Sequence, residues 1–440
     1  MANASANPTA RTATPLAGWV AWGVVSLFYL YEFLIRVAPS VMEPELQKSF
    51  HLSAAGLGAA LGAYYYIYAP LQLVVGGLLD EWGTKRVLIP AVLLCVCGCF
   101  LEIVGGHPAI LIAARLLQGA GSAFAFVGAM HAAAQWFPPE RMALVSGMTT
   151  ALGMLGAIIG NAAVAEFVAR TGWQSSLRDA AIFGLVVAAA IFFFLPKPRK
   201  AATPRADRKG TAFSRIFGHL RRVILNPQTW IIGFIASCLY LPLSVFGGLW
   251  GVPYLTAVAD ISVVEAARVI SVLYVGWLIG GPMAGWLSDH LGRRKAMLLG
   301  STALTLLTTI FLVISPPTST VGIVILLLAI GLASSVQVVG FAAGLEANPL
   351  PAAATSIACV NMIVMLIGGL LQPLVGVLLD HSAKSAGAID AGKFSADDFQ
   401  HAMILLPILS LLGVVACFFL KETYGGRTVS EGEILAAEEI

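Results

Sequence analysis

Long apolar runs alternate with short polar segments along the whole chain. Each run is about 20 residues long, which is the length an α-helix needs to cross the hydrocarbon core of a bilayer. Because the runs are continuously apolar and do not alternate residue by residue, they predict helices and exclude the strands of a membrane barrel. We predict twelve spanning helices, at roughly Ala17–Ala38, Ala54–Leu79, Val87–Val104, Ala109–Met130, Ala143–Phe167, Ser176–Leu195, Thr229–Leu255, Glu265–Ser288, Ala296–Ile314, Val321–Ala343, Ala353–Leu379 and His401–Leu420.

The composition indicates the same class of protein. Hydrophobic residues make up 58% of the 440 residues and charged residues 11%, whereas soluble globular proteins have roughly 25% charged residues. A soluble fold of this length could not cover its apolar surface, so the chain is predicted to be an all-α membrane protein. The polar stretch Met1–Pro15 lacks the basic region and cleavage site of a signal peptide, so the first apolar run is expected to remain as a helix.

Basic residues are distributed unevenly between the two sides of the predicted membrane. Cytoplasmic loops of membrane proteins are enriched in Lys and Arg. If the N-terminus lies in the cytoplasm, eighteen Lys and Arg residues fall in cytoplasmic segments and six in outer segments. Twelve spans return the chain to the side on which it began, so both termini are predicted to be cytoplasmic.

The chain is predicted to contain two related halves. Pro196–Asn226 holds nine basic residues and one acid, which indicates a cytoplasmic linker. Asp80 and Asp289 are 209 residues apart, and similar residues recur at a spacing of 212, which indicates duplication of a six-helix unit. The recurring set pairs Gly119, Ser122 and Gly128 with Gly331, Ser334 and Gly340. The predicted organisation is a six-helix bundle over 1–195, a basic linker over 196–227, a second six-helix bundle over 228–421 and a cytoplasmic tail over 422–440.

Three motifs give the chain a family resemblance. Gly76-x-x-x-Asp80-x-x-Gly83-x-Lys85-Arg86 follows span two, and Gly285-x-x-x-Asp289-x-x-Gly292-Arg293-Arg294 follows span eight. Span four contains Arg115-Leu116-Leu117-Gln118-Gly119. Together these resemble the two loop motifs and the fourth-helix motif of the major facilitator superfamily, and the resemblance covers the whole chain. It implies a secondary transporter with twelve helices in two pseudosymmetric six-helix bundles and a substrate site between them near mid-membrane.

A finer resemblance suggests a substrate class. The segments Phe28–Met42 and Gly62–Asp80 look like those of the proteobacterial intraphagosomal amino acid transporter group, whose members take up amino acids or nucleosides. This implies proton-coupled uptake of an amino acid or similar small polar metabolite across a bacterial inner membrane. Alternatives are uptake of a nucleoside or organic acid, and proton-driven export of a drug or siderophore-like metabolite. The absence of proline between Pro139 and Pro196 argues against a drug exporter, because the helix-five motif of those antiporters has a proline.

The duplicated loop motif suggests a gate. Glycine permits a tight turn, and the pairs Lys85-Arg86 and Arg293-Arg294 keep each loop in the cytoplasm. A carboxylate at a helix end is well placed to meet the positive N-terminus of a neighbouring helix. We therefore expect Asp80 to meet the start of span eleven and Asp289 the start of span five, in contacts that break when the protein opens inward. The alternative is that each aspartate only ends its helix and pairs with a local arginine.

Ionisable residues inside the membrane are the main candidates for function, because burying them is costly. Glu32 and Arg36 lie one turn apart in span one, and Arg115 lies at a comparable depth in span four, with Gln118 on the same face. An acid beside an arginine suits a zwitterion, since a guanidinium fork binds a carboxylate and the acid binds an ammonium. Glu32 is also a candidate to carry the coupling proton. Alternatively, Glu32 and an arginine form a permanent ion pair that only permits folding. Glu102, near the outer end of span three, is expected to be solvated.

Neutral residues are expected to complete the site. Tyr64 and Tyr68 share a face of span two. The second half offers several more, each of which is otherwise a packing residue: Tyr240, Trp250, Tyr274, Trp277, Ser334, Gln337 and Asn361.

The predicted partners follow from this assignment. They are a small-molecule substrate, a coupling proton, with sodium as an alternative, and the lipid bilayer. We expect a monomer that uses no cofactor and binds no metal or nucleic acid. The sequence has no nucleophile–base spacing and no phosphate-binding loop of the GxxxxGK[ST] type, so neither an enzyme nor an ATP-driven pump is predicted.

Overall fold

The chain is built from long helices at the predicted positions. The computed structural model describes residues 16–137, 141–196, 220–349, 352–385 and 394–424. Within these residues, eleven helices are long and apolar enough to cross a membrane. With the 29-residue helix Ala54–Trp82, the spans are α1 (Leu16–Val41), α2 (Ala54–Trp82), α3 (Thr84–Val104), α4 (Pro108–Ala134), α5 (Leu144–Thr171), α6 (Trp173–Phe194), α7 (Pro227–Ala259), α8 (Val263–Leu291), α9 (Arg294–Ile314), α10 (Thr320–Glu346), α11 (Ala353–Ser385) and α12 (Ala396–Phe419).

The two halves repeat each other in detail. Helices α2 and α8 each have 29 residues, and α3 and α9 each have 21. Helices α4 and α10 are both interrupted after a 15-residue segment, at Ser122 and Ser334 respectively. The prediction of an all-α fold with two pseudosymmetric six-helix bundles is confirmed.

Glycine explains why the interrupted helices approach their neighbours at the same place in each half. A Cβ atom on Gly119 of α4 would overlap the backbone carbonyl of Tyr64 in α2. A Cβ atom on Gly331 of α10 would overlap the carbonyl of Leu273 in α8. Only glycine permits so close a backbone contact. The recurrence seen in the sequence therefore marks equivalent helix crossings.

The two bundles meet at the end remote from the duplicated loops. We call the end that carries Lys85, Arg86, Arg293 and Arg294 the basic end, and the other the opposite end. At the opposite end, the carboxylate of Asp380 in α11 accepts hydrogen bonds from Ala54 N (3.2 Å) and Ala55 N (3.0 Å) at the start of α2. Arg268 of α8 pairs with Glu166 of α5 at 3.0 Å. Both contacts join one bundle to the other.

A short helix, Glu43–Phe50, connects α1 to α2 outside the spanning segments. Its first residue, Glu43, is only 5% exposed. The side-chain amide of Gln47 donates a hydrogen bond to Glu43 Oε1. Burial raises the pKa of the Glu43 carboxyl from 4.5 to about 7, and this hydrogen bond only partly offsets the effect.

We expect Glu43 to make stability depend on pH. Its pKa is raised in the folded state, so its contribution is fully present below about pH 4.5 and is lost as the pH rises through about 7. A shift of this size corresponds to about 3 kcal/mol. The melting temperature of the purified protein should therefore fall between pH 5.5 and 8, and Glu43→Gln should flatten this fall. Glu265→Gln, at an exposed position at the start of α8, should change the curve little. Parallel curves for Glu43→Gln and the unmodified protein would contradict the assignment.

The predicted domain boundaries stay a prediction. Residues 197–219 of the linker and 425–440 of the tail lie outside the described residues. The described part resumes with a short helix over 220–225.

Candidate functional site

A buried ion pair lies on α1. Glu32 is 0% exposed and Arg36 is 5% exposed, and both lie on α1. Their i,i+4 spacing places them on one face of the helix. Arg36 Nη2 donates to Glu32 Oε1. The hydroxyl of Tyr64 donates to the same carboxylate oxygen and accepts from Arg36 Nε at 3.2 Å. The carboxylate therefore receives two direct hydrogen bonds, one of them from a cation.

Arg36 also links the two bundles. Its Nη1 donates to the hydroxyl of Tyr240 in α7 at 3.2 Å. Its guanidinium lies over the rings of Phe33 and Tyr68, at 4.4 and 5.1 Å from their centroids. Aromatic faces stabilise a cation most when water is excluded. Arg36 is thus held by charge, hydrogen bonds and rings at the boundary between the halves.

A second buried arginine, Arg115 of α4, also lies against the Tyr64 ring. Its guanidinium is 5.1 Å from the Tyr64 centroid, and that of Arg36 is 5.4 Å away. Arg115 Nη1 donates to the carbonyl of Ile35 (3.2 Å) and to Gln118 Oε1 (2.5 Å). Its Nε has no hydrogen-bond partner among the described residues. Two guanidinium groups therefore flank one tyrosine in a water-poor region.

The expectation that Glu102 is solvated is wrong. Glu102 is 0% exposed, and its Oε2 accepts a hydrogen bond from Gln118 Nε2 at 2.9 Å. Its Oε1 has no partner among the described residues. Although Glu102 lies near the end of α3, its side chain points inward to α4 and is covered by the bundle. The position of Glu102 along α3 predicted its depth in the membrane but not the direction in which its side chain points.

The remaining predicted residues are spread between the two halves. Tyr68 stacks on Tyr64, with ring centroids 5.7 Å apart, as expected from their shared face. Tyr274 of α8 is 0% exposed, and its hydroxyl has no partner in the described structure. Gln337 is buried on α10 and Asn361 is half-buried on α11. Within the described residues, neither of these amides forms a hydrogen bond to Arg36 or Tyr64.

The sequence offered Tyr240 as a residue that could complete the site, but Gln372 was not among the predicted residues. Tyr240 lies beside a π-helical segment of α7, Pro242–Trp250. Its ring also makes an edge contact with Trp277, 5.7 Å between centroids. Gln372 is 3% exposed in α11, where its Nε2 donates to the carbonyl of Ser244 and its Oε1 has no partner among the described residues. A polar residue inside an apolar span was the available signal for Gln372.

The predicted gating residues lie at the basic end, where the described contacts of Asp289 and Arg294 are with residues of the second half of the chain. Asp289 Oδ1 accepts from Arg294 Nη1 at 2.7 Å, and its predicted contact with the start of α5 stays a prediction. Arg294 also pairs with Glu346 of α10 at 2.9 Å. Asp289 therefore makes the pairing with a local arginine that was the alternative to the predicted gate. The Arg294 side chain is buried in this pair, whereas the Asp289 carboxylate is largely exposed.

The other gating residues are less constrained. The ammonium of Lys85 lies 5.1 Å from the Phe192 centroid, and Arg86 and Arg293 are exposed. The side chain of Asp80 lies outside the described part of the structure. Its proposed contact with the start of α11 stays a proposal.

The chemistry of the site is that of binding, not of reaction. Two carboxylates and two guanidiniums share a buried region with tyrosines and amides. No group of three or more His, Cys, Asp or Glu side chains that could hold a metal ion occurs among the described residues. Buried guanidiniums can bind the oxygens of a carboxylate or sulfonate through paired N–H groups.

Relatives of known name are similar to this chain at low identity. A probable sulfoacetate transporter of Cupriavidus necator is 26% identical, over 63% of this chain and 66% of that protein, just under two thirds of its length. The uncharacterized transporter YybO of Bacillus subtilis is 25% identical over 82% of this chain and 87% of that protein. A probable galactarate/D-glucarate transporter of Escherichia coli is 25% identical over 63% of this chain and 67% of that protein.

Solved structures share the fold. A bacterial homolog of the human lysosomal transporter Spinster, in an inward-facing and unoccupied conformation, superposes with a TM-score of 0.72 at 15% identity. The match covers 93% of this chain and 97% of that one. The family model described as Major Facilitator Superfamily matches residues 21–373. Relatives and family are transporters rather than enzymes, and this multi-pass membrane chain belongs to the Major Facilitator Superfamily.

Proposed function

We propose that this chain is a proton-coupled secondary transporter that takes up a small organic anion by alternating access of its two bundles. The observation that carries the proposal is that two buried guanidiniums, those of Arg36 and Arg115, both lie against the ring of Tyr64. Among the described residues, Arg36 has a carboxylate bound to it directly and Arg115 does not. Arg115, whose Nε is free of partners among the described residues, is the group that an incoming anion would bind.

The names of similar proteins support an anion over a neutral substrate. Sulfoacetate and galactarate or glucarate are organic acids, and a hexuronate transporter of Bacillus subtilis is also similar, at 26% identity over 63% of this chain. We propose that the basic end faces the cytoplasm of a bacterial cell, because Lys and Arg are retained on that side.

A second candidate substrate is a zwitterionic amino acid. Glu32 Oε2 has no hydrogen-bond partner among the described residues, so it could accept an ammonium while Arg115 binds the carboxylate. We rank this candidate below an anion, because the other oxygen of Glu32 is already bound by Arg36 and Tyr64. An ammonium would have to compete with that arginine for the same charge.

A thermal-shift panel on the purified protein separates the candidates. We expect sulfoacetate, glucarate or glucuronate to raise the melting temperature, and a ligand at 100 times its Kd to stabilise by about 2.7 kcal/mol. Glycine, other neutral amino acids and nucleosides should have no effect. Arg115→Lys should remove the shift, because an ammonium lacks the planar fork.

Arg178→Lys is the matched control, since Arg178 is exposed and pairs with its neighbour Asp179 at 3.3 Å. This variant should respond as the unmodified protein does. A shift produced by amino acids but not by acids would favour the second candidate. A panel without any shift would remove both.

A further inference from the structure

Glu102 occupies a position that the proposed transport cycle has not used. It lies on α3, beside Gln118 of α4, and is fully buried. The amide of Gln118 connects it to Arg115: its oxygen accepts from Arg115 Nη1 at 2.5 Å, and its nitrogen donates to Glu102 Oε2 at 2.9 Å. The amide orientation is set by the two charges, because the oxygen must face the cation and the N–H the anion.

The two buried acids differ in how firmly they are held as anions. Glu32 receives hydrogen bonds from a guanidinium and a phenol. Glu102 receives one from a neutral amide and has an unpartnered oxygen among the described residues. Buried carboxylates are stable as anions only when a cation or several donors compensate them. The charge of Glu102 therefore depends on the positive charge of Arg115, whereas that of Glu32 is secured by Arg36.

The neighbours of Glu102 supply no other cation among the described residues that contact it. On its own helix the nearest titratable side chain is Cys99, which receives a hydrogen bond from Gln118 Nε2 and contacts the hydroxyl of Tyr31 in α1. On α6, which packs on the other side of α3, Arg178 and Asp179 are exposed and pair with each other. Arg115 is thus the cation that decides the state of this acid.

We propose that Glu102 is a positioning residue that links proton uptake to anion binding at Arg115. In the empty site, ionised Glu102 holds Arg115 in place through Gln118. A bound anion neutralises Arg115, so Glu102 loses its compensating charge and takes a proton from the aqueous side to which the site is open. One negative charge and one proton are then carried together. The inference rests on the proposed function.

The test is anion binding measured across pH. With glucarate as the probe, the apparent Kd of the unmodified protein should rise by up to about tenfold per pH unit once Glu102 is ionised in the empty site, as linkage of one proton requires. Glu102→Gln imitates the protonated acid, so its Kd should vary little with pH and stay near the low-pH value of the unmodified protein. Glu102→Asp should restore the pH dependence. Gln118→Met, which cuts the connection without touching the acid, should weaken it.

Glu32→Gln is the comparison that can overturn the assignment. If it abolishes the pH dependence while Glu102→Gln retains it, the coupling proton resides on Glu32 and the proposal fails. If glucarate, sulfoacetate and glucuronate all fail to bind the unmodified protein at any pH, the proposed function and this inference both fail. Should Glu102→Gln not fold, an unchanged pH profile in Gln118→Met would still contradict the linkage.

Discussion

Replacing Arg36 by glutamine is expected to abolish transport and to destabilise the protein by about 3–5 kcal/mol. Removal of one partner from a buried ion pair leaves an uncompensated charge, and costs of this size follow. Glu32 is 0% exposed and, among the described residues, would retain only the hydrogen bond from Tyr64. The variant would also lose the contact with Tyr240, which joins the two bundles. Melting temperature and substrate uptake into proteoliposomes measure the two effects.

The double variant Glu32→Gln/Arg36→Gln separates folding from function. It removes both charges of the pair together, so it should regain most of the lost stability while transport stays absent. The chain offers a matched control in Glu166 and Arg170, which have the same i,i+4 spacing but side chains 35% and 73% exposed. Arg170→Gln should cost less than about 1 kcal/mol, as surface pairs do. A double variant that transports normally would show that the buried pair serves only folding.

The arrangement of the helices could be predicted because its causes are local in the sequence. Length and apolarity set the spans, and the repeated glycines mark the crossings where backbones must touch. The pair Glu32–Arg36 and the stack of Tyr64 on Tyr68 follow from helical spacing alone. Each of these inferences needs only one helix.

The partners across helices could not be predicted in the same way. Between Val87 and Leu101, helix α3 is apolar on all sides, so no polar stripe showed which way Glu102 points. Tyr240 reaches Arg36 from the other half of the chain, 204 residues away. The choice of Arg294 as the partner of Asp289 depends on α10, which brings Glu346 to the same guanidinium. Such contacts are decided by packing between elements, which a single sequence does not specify.

The second large effect is expected from a substitution at Gly62 of α2, which would oppose closure of the opposite end. A Cβ atom there would lie 2.8 Å from the carbonyl oxygen of Gly369 in α11, closer than van der Waals contact allows. Overpacking of this kind costs about 1–3 kcal/mol. The cost falls only on the conformation in which α2 and α11 touch at this end. Gly62→Ala should therefore shift the equilibrium toward opening at the opposite end by roughly 5- to 150-fold.

Gly76 of the same helix provides the matched control, because a Cβ atom there meets nothing within 4 Å. Gly76→Ala should stabilise α2 slightly, since alanine favours a helix by up to about 1 kcal/mol over glycine. Spin labels at Lys48 and Lys384, both exposed at the opposite end, would report the separation of the two bundles in a background without native cysteines. We expect longer distances in Gly62→Ala, with slower transport, and an unchanged distribution in Gly76→Ala. Equal distributions in the two variants would mean that the contact between α2 and α11 does not hold this end closed.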